Sequence, residues 1–143
     1  MNRRVVVTGL GVVTSIGIGK DEFWNNLTAG KSGIKDVSEF YAANYPVHKG
    51  GPVTDFYPRN EIPKGVGRAS QFAIEGTCDA LGDASLSASD ISMKKTGVMF
   101  GTTNGEATVL EEIDRIWLER GEDEVWAQTI LKYPLDSISR NVA

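Results

Sequence analysis

Apolar residues follow different spacings along this chain, and each spacing predicts an element. Val5, Val6 and Val7 are apolar in succession, which predicts a strand buried on both faces, because a surface strand alternates. Gly9 and Gly11 permit a tight turn, and Val12 and Val13 return to apolar surroundings before the polar bend of Thr14, Ser15, Gly17 and Gly19. Helical spacing follows. Phe23, Trp24 and Leu27 share a face of a helix predicted from Asp21, with Gly30 just past its end. Residues 70–84 form a longer helix whose stripe includes Ala73, Thr77, Cys78, Ala80 and Ala84. Small residues dominate that stripe, so another segment packs closely on it. Residues 96–100 predict a second buried strand ended by Gly101. The polar turn Thr102-Thr103-Asn104-Gly105 then leads into a helix over 106–120, whose buried face carries Ala107, Leu110, Ile113, Ile116 and Trp117.

The remaining stretches are less periodic. Residues 31–67 hold Pro46, Pro52, Pro58 and Pro63 among many glycines and predict mostly loop, with short extended pieces near 47–49 and 53–56. A loop this long usually serves a site or an interface. Residues 85–92 predict a polar connection. Residues 123–135 mix Trp126, Ile130, Leu131 and Tyr133 with a breaker at Pro134. Asp136 or Ser137 opens a last helix with no C-cap signal before Ala143, so the expectation is a truncated polypeptide.

Composition narrows the function. The chain has 143 residues with 41% hydrophobic content, enough for a domain with a core. A net charge of −4 gives a nucleic-acid role no electrostatic support. Cys78 is the only cysteine, which excludes an internal disulfide and a multi-cysteine zinc site. No apolar run approaches a membrane span, and Gly9 and Gly11 interrupt the apolar opening as no signal peptide would be, so a cytoplasmic location is expected.

Candidate motifs are mostly explained without chemistry. Gly9-Leu10-Gly11 resembles a dinucleotide fingerprint, but Thr14 stands where Gly or Ala is needed and no acidic residue closes a second strand. Gly30-Lys31-Ser32 resembles the end of a P-loop, yet it follows a helix, whereas phosphate needs a helix start. His48 reads as a surface loop residue and Cys78 as a buried core thiol. Glu111 and Glu112 read as a solvated face. Near the helix dipole's positive end, Glu106 with this pair is favourably placed. Arg59, Lys64 and Arg68 form a loose basic set, either solvated or facing an anionic partner.

The stretch Arg3-Arg4-Val5-Val6-Val7-Thr8-Gly9-Leu10-Gly11-Val12-Val13-Thr14-Ser15-Ile16-Gly17 resembles the opening of β-ketoacyl-acyl carrier protein synthases of the KAS I/II type. The match continues through Phe23-Trp24-Asn25-Asn26-Leu27-Thr28-Ala29-Gly30-Lys31-Ser32-Gly33-Ile34, and residues 71–84 and 97–101 look like the family's Ala-rich helix and third strand. The resemblance implies an α/β, thiolase-like fold, here the incomplete N-terminal half over residues 1–143, with a mixed, mostly parallel sheet covered by helices. It implies a dimer that joins an acyl thioester to the carbanion from decarboxylating malonyl-acyl carrier protein, in fatty-acid or polyketide synthesis, with no cofactor or metal.

In that family a cysteine at a helix N-terminus carries the acyl group and two histidines stabilise developing charge. The resemblance places the cysteine shortly beyond Ala143 and the histidines in the second half, so no catalytic residue is expected here. Thr103 and Asn104 are expected to line the acyl pocket, with Tyr133 and Pro134 (and Leu135) in the wall given to the partner subunit. Asn104 stands where the family is commonly apolar; a polar amide facing an alkyl chain is costly unless paired, which argues against a long saturated acyl group. Lys64 and Arg68 match positions that meet the acidic helix of acyl carrier protein, although Arg68-Ala69 replaces the family's usual Asp-Arg. The alternatives are a non-catalytic, chain-length-factor-like or scaffolding partner and a small nucleotide-binding α/β domain. An incomplete half-fold also predicts unpaired strand edges and self-association.

Overall fold

The computed structural model describes residues 4–37, 46–134 and 136–143. Arg3, Leu135 and residues 38–45 of the predicted loop lie outside the described residues. Two short antiparallel pairs come first. Strand β1 (Val13–Thr14) pairs with β2 (Gly17–Ile18), and β3 (Lys35–Asp36) pairs with β4 (Lys49–Gly50). Helix α1 (Lys20–Thr28) lies between them. The chain then forms α2 (Arg68–Asp83), α3 (Ala88–Ser92), α4 (Ala107–Arg120), a 3-10 turn over Glu122–Glu124, α5 (Ala127–Ile130) and α6 (Ser137–Val142).

α1, α2 and α4 fall where apolar periodicity places them, within two residues at each start. α1 ends in paired backbone bonds, Gly30 N–H to the Leu27 carbonyl and Lys31 N–H to that of Asn26, with Gly30 at φ 70°. The same arrangement ends α2, but Ser85 occupies the left-handed position at φ 56°. The predicted polar connection over 85–92 contains α3. Its signal was in the sequence: Ser87 accepts from the Asp90 N–H, and the Asp90 carboxylate accepts from the Ser87 N–H.

Both predicted long strands are corrected. Val5, Val6 and Val7 are 93%, 69% and 80% exposed and join no ladder, and residues 96–100 are also exposed and unpaired. A strand forms only when a neighbour takes its N–H and C=O groups, and no described segment pairs with either stretch. The mostly parallel sheet is likewise not assembled here; the paired strands are antiparallel and two residues long. Trp24 and Leu27, expected on a buried face, are exposed, while Phe23 is half-buried. Residues 53–56 form no strand, although Phe56 is buried.

α2 is the centre of what does pack. α6 lies along it more extensively than any other helix pair meets. The glycine-rich opening stretch crosses its small-residue face. A Cβ built on Gly9 would fall 1.9 Å from the Ala80 carbonyl oxygen, and one on Gly11 1.7 Å from that of Gly76. The close packing predicted for this stripe is therefore backbone against backbone. Leu10 N–H donates to Asp83 at 3.0 Å, and the Lys20 ammonium pairs with the same carboxylate. Among the described residues the buried apolar side chains are Phe56, Val109 and Ile138, and the buried polar ones are Ser70, Glu75, Glu106 and Ser137.

Candidate functional site

α2 begins without a cap of its own. Its N-cap is Gly67, which has no side chain to accept from the free amides of the first turn. Glu106, at the start of α4, fills that role from across the chain. Its carboxylate accepts Ala69 N–H at 3.1 Å and Ser70 N–H at 2.8 Å while only 1% of the residue is exposed. Gly67 makes the room, since a Cβ there would lie 2.1 Å from a Glu106 oxygen. Ser70 Oγ in turn accepts from the Asn141 amide of α6 at 2.9 Å. Glu106 was expected to serve its own helix dipole; the same electrostatics operates on α2 instead.

One turn further along α2, Glu75 is fully buried and meets Arg59 and Asn60 of the preceding loop. It accepts Arg59 N–H at 3.2 Å, the Arg59 Nε and the Asn60 amide at 3.1 Å, while the Arg59 guanidinium also reaches Asp79 at 2.7 Å. Burial pushes the Glu75 carboxyl up, but the hydrogen bonds from Asn60 and Arg59 outweigh it and hold it below the ordinary range. Arg59 is thus spent on structure and leaves the basic set. Cys78 lies on the same helix, half-buried; burial pushes its thiol up, and Glu75 and Asp79 add to the effect. A thiol held protonated this way fits the core reading.

The predicted carrier-binding residues lie at the entrance to α2. Lys64 is exposed and makes no ion pair among the described residues. Arg68 stacks over Phe72 at 4.9 Å and Phe56 at 5.8 Å, and it donates to the Val53 carbonyl. Lys132, which no sequence signal pointed to, brings its ammonium 3.3 Å from where a Gly65 Cβ would stand. The expected pocket residues come from two segments. Thr103 and Asn104 are exposed in a turn closed by Gly105 N–H to Thr102 Oγ at 3.0 Å. Tyr133 is half-buried with Pro134 exposed, and no hydrogen bond joins the two pairs among the described residues. A groove of about 580 Å³ over α2 is lined by Gly9, Gly11, Phe100, Thr102 and Ile138, among others. His48 is exposed beside β4, where its carbonyl accepts Val37 N–H at 2.9 Å.

The geometry leaves Gly9 and Gly11 no role with phosphate, because helix carbonyl oxygens press against both. Among the described residues no group of three or more His, Cys, Asp or Glu could hold a metal, and no helix is long and apolar enough to cross a membrane.

Comparison with known proteins places this arrangement. The model of the β-ketoacyl synthase N-terminal domain matches residues 2–137. A 3-oxoacyl-[acyl-carrier-protein] synthase 2 from Synechocystis sp. is 34% identical over 123 residues, covering 83% of this chain and 30% of that protein. The ishigamide ketosynthase/chain length factor superposes with a TM-score of 0.83 at 29% identity, covering all of this chain and 37% of its own. A type II PKS acyl-carrier protein in complex with its ketosynthase bound to the hexaketide gives 0.80 at 30% identity, over 100% and 35%. The chain thus spans about a third of the length of the relatives it matches. The fold class is the thiolase-like one of these ketosynthases, its sheet unassembled among the described residues. Matched through the N-terminal domain over residues 2–137, the chain belongs to the β-ketoacyl synthase family.

Proposed function

We propose that this chain is the N-terminal part of a 3-oxoacyl-[acyl-carrier-protein] synthase. In that reaction an acyl group moves from a carrier thioester to an enzyme thiol. Malonyl carrier then loses CO2, and the resulting carbanion attacks the acyl carbonyl and expels the thiol, forming the new carbon–carbon bond. The observation that carries the proposal is the family match across residues 2–137. Cys78, its thiol held protonated in mid-helix, does not suit the nucleophile's role, so that role and those of the two histidines go to chain beyond these residues.

The groove over α2 supports this reading. Residues from both stretches that lack a ladder partner line it, and further chain would pair with them. Thr103 and Asn104 then line the acyl pocket, and Tyr133 and Pro134 contribute to the partner subunit's wall in a homodimer. Lys64 and Arg68 meet the acidic carrier protein, with Lys132 adding to their charge. The setting is cytoplasmic.

Incubating the full-length protein with acyl-acyl carrier protein tests this. Covalent acylation of a cysteine, followed by CO2 release from malonyl carrier, is expected. A protein with an intact nucleophile segment that neither acylates nor decarboxylates would sink the enzyme reading. The likeness to the ishigamide ketosynthase/chain length factor supports a second reading, a non-catalytic chain-length-factor-like partner, which a replaced nucleophile in the full gene would favour.

A further inference from the structure

We infer that Glu106 is a positioning residue for the 102–105 turn, clamping it to the first turn of α2. The inference rests on the reading of that turn as a wall of the acyl pocket. Glu106 follows the turn directly. Its own carbonyl starts α4, accepting from Val109 N–H at 3.0 Å and Leu110 N–H at 3.3 Å. Its carboxylate meanwhile holds the amides of Ala69 and Ser70, so one residue joins two helix starts. No cation pairs with it among the described residues; its recorded partners are the α2 amides.

Among the described residues no other hydrogen bond ties the 102–105 turn to α2. Thr103 and Asn104 are exposed, and the bond from Gly105 N–H to Thr102 Oγ is internal to the turn. A Ser or Asp at position 67 would cap α2 locally. The structure instead has Gly67 there, shaped to admit a carboxylate from a distant element. The placement of Thr103 and Asn104 relative to the α2 face therefore depends on Glu106. In the assembled pocket, the clamp sets how far an acyl chain extends before it meets the Asn104 amide.

Two routes break the clamp. Glu106→Gln removes the charge while keeping the shape, and Gly67→Ala expels the carboxylate while leaving Glu106 intact. Glu75→Gln is the control, since it disturbs an equally buried carboxylate on α2 that does not touch the turn. Native-state hydrogen exchange at the Gly105 amide should speed up about tenfold in the first two variants and stay within about twofold in the control. In the full-length protein, the ratio of kcat/KM for long and short acyl carriers should shift about tenfold in the same two variants, roughly the discrimination of one methylene, and stay unchanged in Glu75→Gln. Unchanged Gly105 exchange, an equal rise in the control, or faster exchange with an unaltered acyl ratio would each overturn the positioning role. A full-length protein that transfers no acyl group from any carrier would overturn the functional reading, and this inference with it, whatever the exchange shows.

Discussion

The first turns of α2 and the valine-rich opening stretch invert the usual distribution of polar and apolar groups. At α2, Glu75 and Glu106 are buried, as is Ser70. In the opening stretch, Val5, Val6 and Val7 stand in solvent. The difference is one of where hydrogen-bond partners come from. A helix satisfies most of its backbone within four residues, so α2 needs outside partners only at its ends and for its side chains, and takes them from loops and other helices. A strand owes every backbone bond to a neighbour. Without one, three valines gain nothing from being apolar in succession. The polar interior is tolerated because each buried carboxyl has donors on both its oxygens, Glu75 from Arg59 and Asn60 and Glu106 from two amides.

The largest test of this contrast lies where the two regions touch. Gly11→Ala puts a methyl against the Gly76 carbonyl and should cost about 3 kcal/mol by urea unfolding, the upper range for overpacking. A loss below about 1 kcal/mol would mean the opening stretch is not seated on α2. Glu75→Ala comes next, at about 2 kcal/mol, since it leaves Arg59 and Asn60 donors without their acceptor.

The same carboxylate gives the contrast a pH signature. Its folded pKa lies below the ordinary 4.5, so its contribution is fully present above that value and is lost as pH falls through the folded one. Thermal melts of the native chain should therefore drop in Tm through this acidic window, and Glu75→Gln should flatten the drop. An unchanged slope would show that Glu75 is not held as an anion.

Two smaller effects sharpen the comparison. Ser85→Gly relieves the left-handed residue ending α2 and should stabilise by about 0.5 to 1 kcal/mol, visible as a higher urea midpoint. Val6→Thr should change the stability of this chain by less than about 0.5 kcal/mol, the range for exposed substitutions. In the full-length protein the same change should cost several times more if Val6 joins an assembled sheet. Equal, small effects in both would remove the strand reading. Analytical ultracentrifugation adds a check, since the exposed apolar stretches predict concentration-dependent association.

Local chemistry was legible without a structure. Helical spacing located α1, α2 and α4, and Gly30 marked the end of α1. The small stripe on α2 announced a close neighbour, and the opening motif announced the family. The capping box at Ser87 and Asp90 is equally visible in the sequence, within a stretch whose polarity alone predicts only a connection. The expected pocket and carrier residues rest on the resemblance alone, and the approach of Lys132 to Gly65 has no signal in the sequence. Only the tertiary structure decided which carboxylates are buried and which helix each one serves. Glu106 lies far in sequence from the α2 amides it caps, and no periodicity encodes such a pairing. The same reason applies to the valines in the opposite sense: sequence determined their capacity for burial, and burial itself required a partner strand that no described segment supplies.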